Sequence, residues 1–265
     1  MPCAAWVCRC SGHADMHEFY HGSLIFLAGL ALLTFISGFW ITNPYGRHMT
    51  PGQRFTLPAL PAWLIFESPQ VWAFTITFWW LADDPSAVQL ALYALWQSHY
   101  IYRAIIYPLR THKRGKRFPV SGVVFGFLFN ALNGFVNAYA VVHAPHLIQT
   151  WFADPRFLIG LAVAVVGWWI NFQADSILIG LRDDGSDGYK IPQGGLFRWV
   201  SSANYSGEIM LWCGWALMSW TAAGLIFALF TIANLGPRAL SHHRWYRATF
   251  ADYPAQRKAL IPGLL

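Results

Sequence analysis

The chain has 265 residues, of which 56% are hydrophobic and only 11% charged. That balance lies outside the usage of water-soluble domains, so lipid is the expected solvent for most of it. No stretch is long and polar enough for a separate soluble domain.

In chain order, residues 1–22 form a polar N-terminal tail and residues 23–265 a single membrane domain. Cys3, Cys8 and Cys10 sit in the tail without paired CxxC spacing. A tetrahedral zinc site needs four donors, so an unstructured tail is expected here and no metal centre. Cys213 reads as helix packing. The first apolar run, 24–41, is longer than a signal-peptide core and follows Asp15 and Glu18 rather than a basic leader, so it is expected to be a retained span.

Further apolar runs cover 60–81, 86–107, 121–142 and 157–181, each near the roughly 20 residues that a helix needs to cross hydrocarbon. Pro69 is expected to kink the second. The last region, 197–240, is too long for one helix, and residues 220–224 (WTAAG) offer the place for a tight reversal. The expected architecture is an all-α bundle of seven transmembrane helices.

Loop charge gives the orientation, because cytoplasmic loops collect Lys and Arg. With the N-terminus outside, every Lys and Arg except Arg9, Arg103 and Arg156 falls on the inner side. Residues 110–117 (RTHKRGKR) are strongly basic, whereas the preceding loop carries Asp83 and Asp84. An odd number of spans leaves the basic C-terminal tail cytoplasmic. The net charge of +6 then follows from topology and anionic lipid, without nucleic acid as a partner. A bacterial inner membrane and the endoplasmic reticulum obey the same charge rule.

An ionisable side chain deep in a membrane helix costs about 2.5–3.5 kcal/mol, so Glu67, Arg103, Asp175 and Glu208 each need a reason. Residues three, four or seven apart share a helix face. Tyr100, Arg103 and Tyr107 form one polar stripe, and Asn171, Asp175 and Arg182 another. Asn204 with Glu208, and His242 with Tyr246 in the tail, repeat the pattern. Any single residue could be interhelical hydrogen-bonding glue. Together they offer more polar surface than cohesion requires, and a cofactor rich in phosphate, ribose and amide groups would satisfy it.

GxSxG, GxxxxGK[ST] and GxGxxG are absent, so a nucleotide would need a site unlike the common ones. Gly194 and Gly195 would let backbone approach a ligand, or form an interfacial turn.

Several segments resemble the steroid 5α-reductases and their wider relatives. Residues 189–197 (YKIPQGGLF) are similar to the family's YRIPxGGLF, and 203–209 (ANYSGEI) to its ANxxGEI. The ending 242–262 (HHRWYRATFADYPAQRKALIP) resembles HHRFY…F…YPxxRKAlIP. Residues 63–69 (WLIFESP) and 99–107 (HYIYRAIIY) are like WxxxExP and HYxxRxxxY.

The resemblance implies a seven-helix bundle, NADPH as cofactor, and reduction of the Δ4 double bond of a 3-oxosteroid. It places the substrate-carbonyl pair on Glu67 and Tyr100, with Trp63 and Phe66 beside the substrate. Cofactor contacts fall on Asn171, Asp175, Arg182, Tyr189, Asn204, Glu208, His242 and Tyr246, with Arg103, Tyr107, Lys190 and Arg257 as further positions. Phe66 stands where some members carry Gln, and Leu211 where many carry Glu.

Reducing an enone sends electron density to the ketone oxygen, where a protonated Glu67 and the Tyr100 hydroxyl could both donate hydrogen bonds. Arg182 and Lys190, on the inner side, suit phosphates. The alternatives are a reductase of another lipid (a polyprenol, enoyl-CoA or sterol substrate), a SAM-dependent isoprenylcysteine-type methyltransferase, and a non-catalytic lipid transporter. The last usually shows an internal repeat, which is not evident here. A monomer is expected.

Overall fold

The computed structural model describes residues 3–41, 54–111, 117–181 and 188–265, with side chains described from residue 15 onward. The chain is mostly helical. The helices are α1 (Cys3–Ser37), α2 (Ala59–Glu67), α3 (Pro69–Leu81), α4 (Ala87–Ile101), α5 (Tyr107–Thr111), α6 (Val120–His143), α7 (Pro155–Gly180), α8 (Ala203–Ser219) and α9 (Ala222–Thr249). A π-helical turn, Tyr102–Ile106, joins α4 to α5, and 3-10 turns occupy Gln149–Ala153 and Gly195–Arg198.

Among the described residues, four helical segments are long and apolar enough to cross a membrane: Asp15–Ser37, Val120–His143, Pro155–Gly180 and Ala222–Thr249. Large apolar side chains such as Ile25, Leu33, Trp80 and Leu128 face outward, the reverse of a water-soluble surface. The other expected spans are interrupted or shorter. α2 and α3 form one broken segment, α4 and α5 are joined through the π turn, and α8 has 17 residues.

Three features depart from the sequence expectations. The first helix starts at Cys3 and ends at Ser37, so the tail expected to be unstructured is helical from its third residue. α9 runs on to Thr249, placing His242 and Tyr246 on a helix rather than in a tail. The chain is also not purely helical: β1 (Thr56–Pro58) pairs antiparallel with β2 (Arg117–Pro119), Leu57 opposite Phe118, tying the entrances of α2 and α6 together.

The expected kink at Pro69 is a break between α2 and α3. Proline has no N–H to offer the Ile65 carbonyl. The Ser68 hydroxyl takes that carbonyl at 3.3 Å, while Asn130 Nδ2 on α6 donates to the Phe66 carbonyl at 2.6 Å. Gln70 Nε2 donates to Asn130 Oδ1 at 2.9 Å, so side chains repair the broken ladder.

The reversal at 220–224 is also present. Trp220 closes α8 in the left-handed region at φ 46°, and Thr221 caps α9 by accepting from Gly224 N at 3.1 Å. Ser86 and Gln89 form a reciprocal capping box on α4, and Gln89 Nε2 also donates to the Val141 and Val142 carbonyls that end α6.

The core is aromatic: Phe74, Phe78, Trp96, Trp212, Trp215 and Phe227 pack together with Leu92 and Val141. α7 and α8 approach with backbones nearly touching, because both present glycine. A methyl added to Gly207 would lie 2.6 Å from the Gly167 carbonyl oxygen, and one on Gly160 2.8 Å from that of Gly214. Small residues permit this spacing in membrane bundles, and it sets Asn171 of α7 against Asn204 and Glu208 of α8.

Candidate active site

Trp63 and Glu67 lie one turn apart on α2, and Tyr100 and Arg103 at the end of α4 and in the π turn. A π turn widens the helix locally. Here the Arg103 carbonyl accepts a hydrogen bond from Trp63 Nε1 at 3.0 Å. The Arg103 guanidinium carbon lies 4.5 Å from the Tyr107 ring centroid and 5.2 Å from that of Trp63. Its Nη1 donates to Asp175 Oδ2 of α7 at 3.2 Å, and its Nε stands 4.0 Å from Glu67 Oε1. One cation thus joins the acids of α2 and α7.

Glu208 forms the second centre. Its Oε1 accepts from Trp212 Nε1 at 2.8 Å and lies 3.4 Å from His99 Nε2. Its Oε2 accepts from Asn171 Nδ2 at 3.0 Å, and the same amide nitrogen donates to the Asn204 carbonyl at 2.9 Å. The Tyr100 ring stacks on Trp212 with centroids 5.4 Å apart. Tyr100 lies within electrostatic reach of Glu67, Glu208 and Arg103 together. The polar stripes of four segments therefore meet in one interior cluster.

His99 and Trp212 belong to this cluster, although the sequence reading assigned them no role. The signal was present: His99 directly precedes Tyr100, and Trp212 is one turn beyond Glu208.

Trp63 and Phe66, both expected beside the substrate, meet edge to face at 5.2 Å. The Phe66 ring fills the notch over Gly126 of α6, where an added methyl would strike it. Leu211, in place of a family glutamate, packs against the aromatic core.

The C-terminal positions form an adjoining cluster. Tyr205, next to Asn204, faces the His242 ring with centroids 5.4 Å apart. His242 and Tyr246 are buried one turn apart on α9, and Tyr246 stacks on Tyr253 at 5.4 Å. Tyr189 meets Trp245 at 5.1 Å, with Lys190 beside it in sequence. Arg182 lies outside the described residues.

Arg257, expected among the cofactor contacts, is engaged with the segment before α8. It is buried, and donates to the Pro192 carbonyl at 3.0 Å and Gln193 Oε1 at 2.7 Å. It holds the segment before α8. Ser201 reinforces this seam, its hydroxyl lying 2.6 Å from both His243 Nδ1 and the Tyr253 hydroxyl. Gly194 and Gly195 have φ of 90° and 48°, and a methyl on Gly195 would strike Gln173 of α7. The close approach there is to the protein's own helix.

Asp175 Oδ1 is buried with no hydrogen-bond partner among the described residues, and so is His99 Nδ1. A buried polar atom left unpaired costs about 1–3 kcal/mol. A ligand carrying amide or hydroxyl groups would satisfy the Asp175 acceptor, and this donor and acceptor set fits a nucleotide.

The 3-oxo-5-alpha-steroid 4-dehydrogenase family profile matches residues 116–265. The chain is 44% identical to a steroid 5-alpha-reductase of Solanum lycopersicum, over 91% of this chain and 95% of that protein. It is 42% identical to 3-oxo-5-alpha-steroid 4-dehydrogenase 1 of Macaca fascicularis, over 83% and 84%, and 40% identical to the mouse protein of that name, over 92% and 96%. With these matches, and with the acidic, amide and aromatic side chains of its motifs gathered inside one helical bundle, the chain belongs to the 3-oxo-5-alpha-steroid 4-dehydrogenase family.

Proposed function

We propose that the protein is a membrane-embedded steroid 5α-reductase that saturates the Δ4 bond of 3-oxosteroids. The observation that carries this reading is the convergence of Glu67 and Tyr100, from different helices, on a cluster that also holds Arg103, Asp175 and Glu208. The four long apolar helices, the broken α2–α3 segment, the joined α4–α5 segment and α8 supply seven crossings, with the N-terminus outside and the C-terminus cytoplasmic.

The hydride comes from NADPH, which is the chemistry that cofactor supplies when bound. Asn171, Asp175, Asn204 and Glu208 would hold it within the bundle, with Arg182, Tyr189, Lys190, His242 and Tyr246 toward the cytoplasmic end. Tyr107 and Arg103 line the same face, and Arg257 acts through the 189–197 segment.

As the new C–H bond forms at C5, the π pair of the alkene moves toward the ketone and charge gathers on its oxygen. Glu67, in its protonated form, and Tyr100 donate hydrogen bonds to that oxygen. A proton delivered to C4 completes the saturated ketone. Trp63 and Phe66 exclude water from the apolar side, and the close-packed bundle holds the reacting carbons in place.

The test is to incubate purified protein with NADPH and a panel of enones, from 3-oxo-Δ4-steroids to polyprenals, and identify products by mass spectrometry. Steroid saturation supports the reading. Turnover of only non-steroid enones would move the substrate to another lipid, and NADPH left unconsumed by every enone would reject a reductase.

A further inference from the structure

We propose that His17 and His21 form a two-imidazole site for a divalent transition-metal ion of the Zn²⁺ or Ni²⁺ class, separate from the reductase site. The two residues are four apart on α1 and therefore share a face. Their Nε2 atoms share a hydrogen bond at 3.2 Å, and both side chains are exposed on the surface of the bundle. Two metal–nitrogen bonds of about 2.0–2.1 Å at a tetrahedral angle place their nitrogens about 3.3 Å apart, which is the spacing found here. Imidazole is a ligand suited to zinc, copper and nickel.

The pair opens onto a cleft of about 450 Å³ that is also lined by Tyr20, Tyr139, His143 and His146. This cleft lies beside Thr221, at the end of α8 away from Asn204. The two further histidines have their tautomers set by backbone carbonyls, which can only accept. His143 Nδ1 donates to the Tyr139 carbonyl at 2.9 Å, and His146 Nε2 to the Ser219 carbonyl at 3.0 Å. A neutral imidazole held this way turns its other nitrogen's lone pair outward, the form that binds metal.

Among the described residues no three potential ligands are already gathered. The ion's remaining positions therefore go to water, or to one of these rings after a rotamer change. Protonation competes with metal for imidazole, so binding weakens as the medium is acidified.

The experiment uses the full chain in detergent, carrying Cys3→Ser, Cys8→Ser and Cys10→Ser so that the N-terminal thiols near the histidine pair in sequence do not contribute. Ni²⁺ and Zn²⁺ are titrated by calorimetry and Co²⁺ by its visible absorption. The expected result is one ion per chain, with affinity falling by an order of magnitude or more in His17→Ala and His21→Ala, and less in His143→Ala. NADPH-dependent turnover, followed in parallel, shows that the variants are folded. A chain that binds no ion saturably, or one whose binding is unchanged by both α1 substitutions, overturns the proposal.

Discussion

Arg103 and Asp175 pair at 3.2 Å across the interface between the π turn and α7, both within the bundle, with Glu67 4.0 Å from the same guanidinium. A lone intramembrane arginine is a large cost and an arginine between two carboxyl groups a much smaller one. The pairing explains why three such residues coexist in so apolar a chain.

Removing the cation should therefore be worse than removing a surface charge. Arg103→Ala leaves two buried acids without their partner and should lower stability by about 3–5 kcal/mol. Thermal unfolding in detergent would show it. Arg103→Lys retains charge but loses the planar fork, and is expected to fall between the two.

Glu67→Gln keeps the shape and much of the hydrogen bonding of the side chain, but not its acidity. Turnover should fall by about 10²–10³-fold, as when an oxyanion donor is lost, with NADPH affinity unchanged. Steady-state rates beside equilibrium cofactor binding separate the two effects.

Trp212→Phe deletes the 2.8 Å donor to Glu208 while leaving a ring to stack under Tyr100. A hydrogen bond to a charged group contributes about 1.5–3 kcal/mol, so KM for NADPH should rise about tenfold or more. KM for the steroid should hold if Glu208 serves the cofactor side.

Gly207→Ala adds a methyl 2.6 Å from the Gly167 carbonyl oxygen. Overpacking of this kind costs about 1–3 kcal/mol. Because α7 and α8 would also separate at Asn171, the variant should lose cofactor affinity together with melting temperature.

At the opposite end, the side chain of Asp154 caps α7 and grips Arg156, whose guanidinium carbon lies 4.4 Å from the Trp151 ring centroid and 4.8 Å from that of Trp220. The hydrogen bond from Arg156 holds the Asp154 carboxyl at about 2, below its ordinary 3.8. A depressed folded value means stability present above the unfolded value and lost as pH falls through about 2. The melting difference between the native chain and Asp154→Asn should hold from pH 7 to 5 and shrink only in strong acid.

Much of this was legible in the sequence because the bilayer narrows the choices. Apolar runs fixed the helices at 121–142 and 157–181, and WTAAG marked the reversal that Trp220 makes. Two of the three arginines that broke the loop-charge rule prove to be held, Arg103 by acids and Arg156 by Asp154 and two tryptophans. The π turn, the β1–β2 pairing and the engagement of Arg257 with the Pro192 carbonyl were not legible. Each depends on contacts between residues remote in the chain, which helical spacing does not encode. His99 was passed over although it directly precedes Tyr100, because its part in the cluster shows only once Glu208 is placed 3.4 Å from it.

The most direct measurement uses NADPH deuterated at the transferable position of its nicotinamide, with purified protein and a 3-oxo-Δ4-steroid, the product being read by mass spectrometry and NMR. One deuterium on C5 of a 5α-saturated ketone, formed by the native chain and sharply reduced in Glu67→Gln, is the expected result. Label carried to another carbon, or full turnover by Glu67→Gln, would contradict the account.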